Sequence, residues 1–161
     1  MNKKEVYQYL TDCGIRYEVT EHQAVFNMAE LDNVDLPYPE ADAKNLFVRD
    51  DKKRNYYLIT VKGDKKVNLK EFRRVNGLRP LTFASAEDLM AMMGLSPGAV
   101  TPLGLLNDSE NRVKFYLDSS FGDGLIGVHP NDNTATVWMK ASDLVRIIRE
   151  TGNDVEFVTI E

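Results

Sequence analysis

Only one cysteine, Cys13, occurs in the chain, so no internal disulfide forms. Long apolar runs are missing as well: none approaches the roughly 18 residues of a membrane-crossing helix. The stretch 1–14 alternates charged and apolar residues, with Val6, Tyr9, Leu10 and Cys13 at helical spacing, unlike a cleavable leader. Histidine is scarce. His22 and His129 are the only two, and neither H-E-x-x-H nor C-x-x-C spacing is present to hold a zinc ion. A phosphate-cradling glycine loop is absent too, because Gly122 and Gly124 lie in a segment with no helix pattern after it. These absences predict a cytoplasmic protein with no metal, no nucleotide cofactor and no membrane partner.

With 161 residues, 43% of them hydrophobic, the chain suffices for one globular domain with its own core, and residues 1–161 read as a single unit. Helical spacing in 1–14 stops at Gly14, and 15–20 reads as a strand leading to His22. The segment 31–42 is acidic and proline-bearing, hence a loop. Runs at 46–49 and 56–62 flank a polar turn at 50–55, which is a hairpin pattern. A helix over 66–76 carries Leu69, Phe72 and Val75 on one face and ends at Gly77. Ser85 with Asp88 caps a helix over 86–93. Strands are expected at 113–118, 125–128, 134–139 and 155–160, with an amphipathic helix through Leu144, Val145, Ile147 and Ile148. Strands in hairpins mixed with helices imply an α+β fold, not a doubly wound sheet.

The net charge of −5 conceals an asymmetry. Between Lys44 and Arg79 stand twelve Lys or Arg and four Asp or Glu, a net of +8, while the remaining eight cations and twenty-one acids leave −13. Lys52, Lys53, Arg54, Lys62, Lys65, Lys66, Lys70, Arg73, Arg74 and Arg79 are therefore candidates for a face that contacts a phosphate backbone. The same residues would also serve as an ordinary solvated surface.

Residues 94–98, Gly-Leu-Ser-Pro-Gly, match the G-x-S-x-G nucleophile elbow, with Asp118 and His129 following in triad order. Chemistry argues against it. In an elbow the residue after the serine donates its N–H to the oxyanion, and Pro97 has none. A helix, not a buried strand, precedes Ser96. What remains is Gly98-x-x-x-Pro102, in which glycine allows close approach and the N–H groups of Ala99, Val100 and Thr101 are candidates to hold a carbonyl oxygen.

Three segments carry a resemblance to a known family: Lys44-Asn-Leu-Phe-Val-Arg-Asp50, Gly98-Ala-Val-Thr-Pro-Leu-Gly-Leu-Leu-Asn-Asp108 and His129-Pro-Asn-Asp-Asn-Thr-Ala-Thr136. Together they resemble the YbaK-like editing domains associated with prolyl-tRNA synthetase, which hydrolyse wrongly charged aminoacyl-tRNA. The resemblance implies a mixed, largely antiparallel curved sheet flanked by helices. It also implies that Lys44, the loop from Gly98 to Pro102 and His129 surround the aminoacylated terminal adenosine. Asn45 matches the position beside the lysine, and His22 to Phe26 resembles the segment lining the amino-acid pocket, with Val25, Phe26, Met28 and Leu31 as candidate walls. Asn27 departs from the threonine of many relatives. The pattern is most similar to free-standing members that deacylate alanyl-tRNA(Pro). The implied partner is mischarged tRNA, with transient contact to prolyl-tRNA synthetase and no DNA.

An aminoacyl ester is already activated, so positioning and electrostatics suffice where no triad is present. A pocket built for proline rejects the smaller alanine weakly, and a second site selecting by size supplies the missing discrimination. Removal of cysteine or serine, binding of tRNA without hydrolysis, and sensing of a free small amino acid are the alternatives.

Overall fold

The structure, a computed structural model, describes residues 1–24, 36–63 and 65–160. The candidate pocket walls Val25, Phe26, Met28 and Leu31 lie outside the described residues.

The hairpin predicted around a polar turn forms from β2 (Ala43–Asp50) and β3 (Tyr56–Lys62), with Asn45 opposite Thr60 and Lys44 opposite Val61. Asp50 shapes the turn, accepting hydrogen bonds from the Lys52 and Arg54 N–H groups and the Asn55 amide. Strand β3 reads Tyr-Tyr-Leu-Ile-Thr-Val and is buried at all six positions, because it occupies the centre of a five-stranded sheet. The order in that sheet is β4 (Leu81–Phe83), β2, β3, β5 (Val113–Asp118), β8 (Val155–Val158). Pairing is antiparallel on the β2 side and parallel for β3 with β5 and β5 with β8. A second, antiparallel sheet has the order β1 (Tyr17–Glu21), β7 (Ala135–Lys140), β6 (Leu125–Val128).

The main core lies between the sheets and is closed by α1 (Lys3–Asp12), α3 (Ala86–Met93) and α4 (Ala141–Glu150), through Val6 and Leu10, Leu89 and Met93, and Leu144, Ile147 and Ile148. A smaller cluster covers the other face of the large sheet, where Phe72 of α2 (Leu69–Asn76) packs against Tyr116 with ring centroids 5.0 Å apart. The sheets meet where Asp42 bridges Gly127 in parallel sense. Gly127 is required there: a Cβ would lie 2.3 Å from the Trp138 ring that crosses it.

Local signals account for the helix ends. Asn2 and Glu5 form a reciprocal capping box, Ser85 accepts from the Asp88 N–H, and Gly77 and Gly94 close their helices at φ +65°. The helix expected from residue 66 begins at Leu69 because Asn68 caps it, which leaves Lys66 in the preceding segment. No helix among the described residues is long and apolar enough to cross a membrane.

Candidate active site

Two stretches more than a hundred residues apart in sequence converge at one end of the small sheet. His22 follows β1, His129 follows β6, and Thr136 stands in β7 opposite Thr20. The rings of His22 and His129 lie edge to face with centroids 6.2 Å apart. Each imidazole has its Nδ1 against a backbone carbonyl, Ala135 for His129 at 3.0 Å and Gln23 for His22 at 2.7 Å. A carbonyl only accepts, so Nδ1 carries the proton in both rings. His22 Nε2 rests 2.9 Å from the Thr136 hydroxyl. Withdrawal from water, reinforced by the neighbouring His22, holds His129 below the usual imidazole range and keeps it neutral at pH 7. Its Nε2, a bare lone pair in that state, makes no hydrogen bond among the described residues.

The loop joins the same place. Residues Pro97–Ala99 form a single 3₁₀ turn and Pro102–Asn107 a second, with Val100 and Thr101 extended between them. Thr101 is fully buried and its hydroxyl donates to the His129 carbonyl at 2.7 Å. Of the three expected loop donors, Ala99 is already committed, its N–H closing the turn onto Ser96 at 3.0 Å. The Val100 and Thr101 N–H groups make no hydrogen bond among the described residues. Of the three expected donors, those two remain to hold an oxygen. Helix α3 ends at Gly94, so Ser96 follows a helix end and not the buried strand of an elbow.

Lys44 and Asn45 occupy the first turn of β2 and alternate in direction. Asn45 shares its face with Ala43 and Phe47, which pack on the same core as Val100 and Val128. Lys44 shares the other face with Leu46 and Val48, toward α2, and its ammonium lies 3.5 Å from the Lys65 carbonyl, a distance at the limit of a hydrogen bond. No hydrogen bond joins Lys44 to the loop or to His129 among the described residues. The two chains nevertheless leave the Asp42–Gly127 bridge in the same direction, and Lys44 and His129 each stand two residues beyond it.

The basic candidates fall into two groups. Lys52, Lys53 and Arg54 are exposed at the hairpin tip, with Lys53 in the left-handed region at φ +54°. Six residues of strand, Asn45 to Asp50, separate Lys44 from the turn, about 20 Å at the usual rise. Lys66, Lys70 and Arg74 are exposed and Arg73 half-buried along α2 and its approach. Arg74 is paired with Glu71 and Arg79 with Asp51. Lys65 is otherwise engaged: its ammonium contacts Asp118, Ser120 and the Ile160 carbonyl at 2.7–3.0 Å.

Sequence reasoning missed Thr60, Thr136 and Asp42. Thr60 donates its hydroxyl to Asn45 Oδ1 at 2.6 Å. A signal for it existed, since a hairpin whose turn spans 50–55 sets 45 against 60. Asp42 is 6% exposed and burial pushes its carboxyl up to about 7, and nothing in a single sequence distinguishes it from its acidic neighbours.

Two imidazoles at the end of the small sheet and a backbone loop tied to one of them define a site that acts by positioning. Comparison with known proteins names the class. Residues 22–147 match the family model for the aminoacyl-tRNA editing domain. The prolyl-tRNA editing protein ProX of Acetoanaerobium sticklandii is 35% identical over 159 residues, covering 98% of this chain and 97% of that protein. Prolyl-tRNA synthetase associated domain-containing protein 1 of Mus musculus is 35% identical over 161 residues, covering 94% and 92%. A solved structure described as a candidate trans-editing enzyme for prolyl-tRNA synthetase superposes with a TM-score of 0.70 at 21% identity, covering 100% of this chain and 99% of that one, and it supports the α+β fold. The chain belongs to the aminoacyl-tRNA editing domain family and is an aminoacyl-tRNA deacylase.

Proposed function

We propose that this deacylase acts in trans on alanyl-tRNA(Pro) in the cytoplasm, as one domain over residues 1–161, releasing alanine and tRNA. Water adds to the ester carbonyl carbon, the bond to the ribose oxygen breaks, and the proton lost by water ends on that leaving oxygen. The observation that carries the reading is the tie from Thr101 to the His129 carbonyl, which makes the loop and the imidazole one rigid unit. Such a unit holds a reactive ester in place without a strong nucleophile.

In this reading the Val100 and Thr101 N–H groups face the ester oxygen as negative charge develops on it. Lys44, on the side toward α2, takes the terminal phosphate or a ribose oxygen; its long contact to the Lys65 carbonyl is weak enough to exchange. The substrate's own free ribose hydroxyl orients the water. Neutral His129 accepts a hydrogen bond through Nε2, and His22, fixed by Thr136, shapes the wall beside it. The 25–31 segment supplies the size limit that admits a methyl group and excludes a pyrrolidine ring, the distinction that a proline pocket makes poorly. The backbone of tRNA runs over the cations of α2 and, farther out, the hairpin tip. Contact with prolyl-tRNA synthetase, where it occurs, delivers the ester.

Shrinking Val25 or Met28 and comparing deacylation of alanyl- and prolyl-tRNA(Pro) tests the size limit. Relaxed discrimination is expected, and unchanged discrimination would reject a sieve at that residue.

A further inference from the structure

Thr60 lies in the most buried strand of the fold, and its side chain has no exposure to water. Its hydroxyl bonds the Asn45 carboxamide, directly across the hairpin, at 2.6 Å. The hydroxyl donates and Oδ1 accepts, so the amide oxygen is the atom turned toward Thr60. A carboxamide whose oxygen is taken on one side presents its two N–H donors on the other. Asn45 is half-buried, and its Nδ2 makes no hydrogen bond among the described residues. Strand alternation turns the Asn45 side chain toward the core that Val100, Val128, Ala43 and Phe47 border. The loop, meanwhile, offers fewer donors than its length suggests, because the Ala99 N–H is spent on Ser96.

We propose that Thr60 is a positioning residue: it locks the Asn45 carboxamide so that its N–H donors, and not its oxygen, face the acyl ester. Asn45 then supplies a donor beside the loop, and Thr60, by engaging Oδ1, supports the arrangement in which the amide N–H groups are the free ones. The proposal rests on the deacylase reading and adds to it a residue that touches no substrate.

Thr60→Val removes the hydroxyl at nearly constant volume, and Thr60→Ser restores it. The expected result is a fall of about tenfold to a hundredfold in kcat for alanyl-tRNA(Pro) in Thr60→Val, the scale of weakening one preorganised donor. Binding of uncharged tRNA and the KM should stay within about twofold, and Thr60→Ser should recover most of the rate. Asn45→Asp keeps an acceptor for Thr60 but has no N–H to give, and it should be as slow as Asn45→Ala. Adding Thr60→Val to Asn45→Ala should cost nothing further, because the effect passes through the amide. Thr60→Val with wild-type kcat, an active Asn45→Asp, or a multiplicative loss in the double variant would each overturn the proposal. If Thr60→Val fails to fold, Asn45→Asp and Thr60→Ser decide. A wild-type protein that hydrolyses no aminoacyl ester would refute the deacylase reading and this role together. An active wild type with an indifferent Thr60 would refute this role alone.

Discussion

The Thr101 hydroxyl donates to the His129 carbonyl across 2.7 Å, joining two residues 28 positions apart in the chain. The same hydroxyl accepts from the Leu103 N–H at 3.3 Å, so one buried side chain fixes the loop exit and the imidazole turn at once. Thr101→Val leaves the His129 carbonyl without that partner in a buried setting. A loss of about 1–3 kcal/mol in stability is expected, lowering Tm by several degrees, with deacylation reduced more than tRNA binding. Thr101→Ser should sit close to wild type in both. Thermal melts and single-turnover rates on the three proteins check this.

Asp118 is fully buried and accepts from Lys65, the Lys62 N–H and the Ser120 N–H. Burial alone would raise its carboxyl, and these donors outweigh it and hold it below the ordinary carboxylate value. Its stabilising contribution is therefore complete above pH 3.8 and disappears as pH falls through its lowered value. Asp118→Ala should cost about 3 kcal/mol at pH 7, at the low end for a broken buried pair because Lys65 retains access to water. Urea melts at pH 7 and pH 3 check both statements, the difference between the proteins shrinking at the lower pH.

Asp42 behaves in the opposite sense. Burial raises its carboxyl to about 7, so the folded state holds a proton that the unfolded chain releases from pH 3.8 upward. Stability is thus lost progressively between pH 3.8 and about 7, and the protein pays a steady penalty above that. Asn in place of Asp42 keeps the shape without the charge. Asp42→Asn should raise Tm at pH 8 and leave it nearly unchanged at pH 4, and equal shifts at both pH values would refute a buried, raised carboxyl.

How far the sequence reveals all this depends on whether a feature is local. The hairpin was legible because β-branched and aromatic residues flank a polar turn, and the helix ends because Asn, Ser and Gly act within a few residues of themselves. Strand β4 was not legible: three residues after Pro80 become a strand only because β2 offers an edge. The division into two sheets is equally hidden, since which strands pair across long stretches of chain is not reported by any local spacing. At the site, the structure brings His22, His129 and the loop together, while Lys44, expected to join them, stands on the face of β2 toward α2. Loop donors were overcounted, because the Ala99 N–H is consumed by a turn whose hydrogen bond is invisible before folding.

Charge placement sets the salt dependence of tRNA binding. Lys70 and Arg73 carry no ion pair within 4.0 Å among the described residues, whereas Arg74 pairs with exposed Glu71. Lys70→Ala and Arg73→Ala should each weaken binding and reduce the logarithmic salt slope by about one. Lys65→Ala should leave the slope unchanged, because that ammonium is held by Asp118, Ser120 and Ile160. Filter binding across a salt series separates these outcomes.

The most direct test of the account is the rate of deacylation of alanyl-, cysteinyl- and prolyl-tRNA(Pro) by the purified protein, alongside Lys44→Ala. Rapid loss of the alanyl ester, sparing of the prolyl ester and a collapse of the rate in Lys44→Ala are the predicted results. No turnover of any ester by a folded protein that still binds tRNA would contradict it.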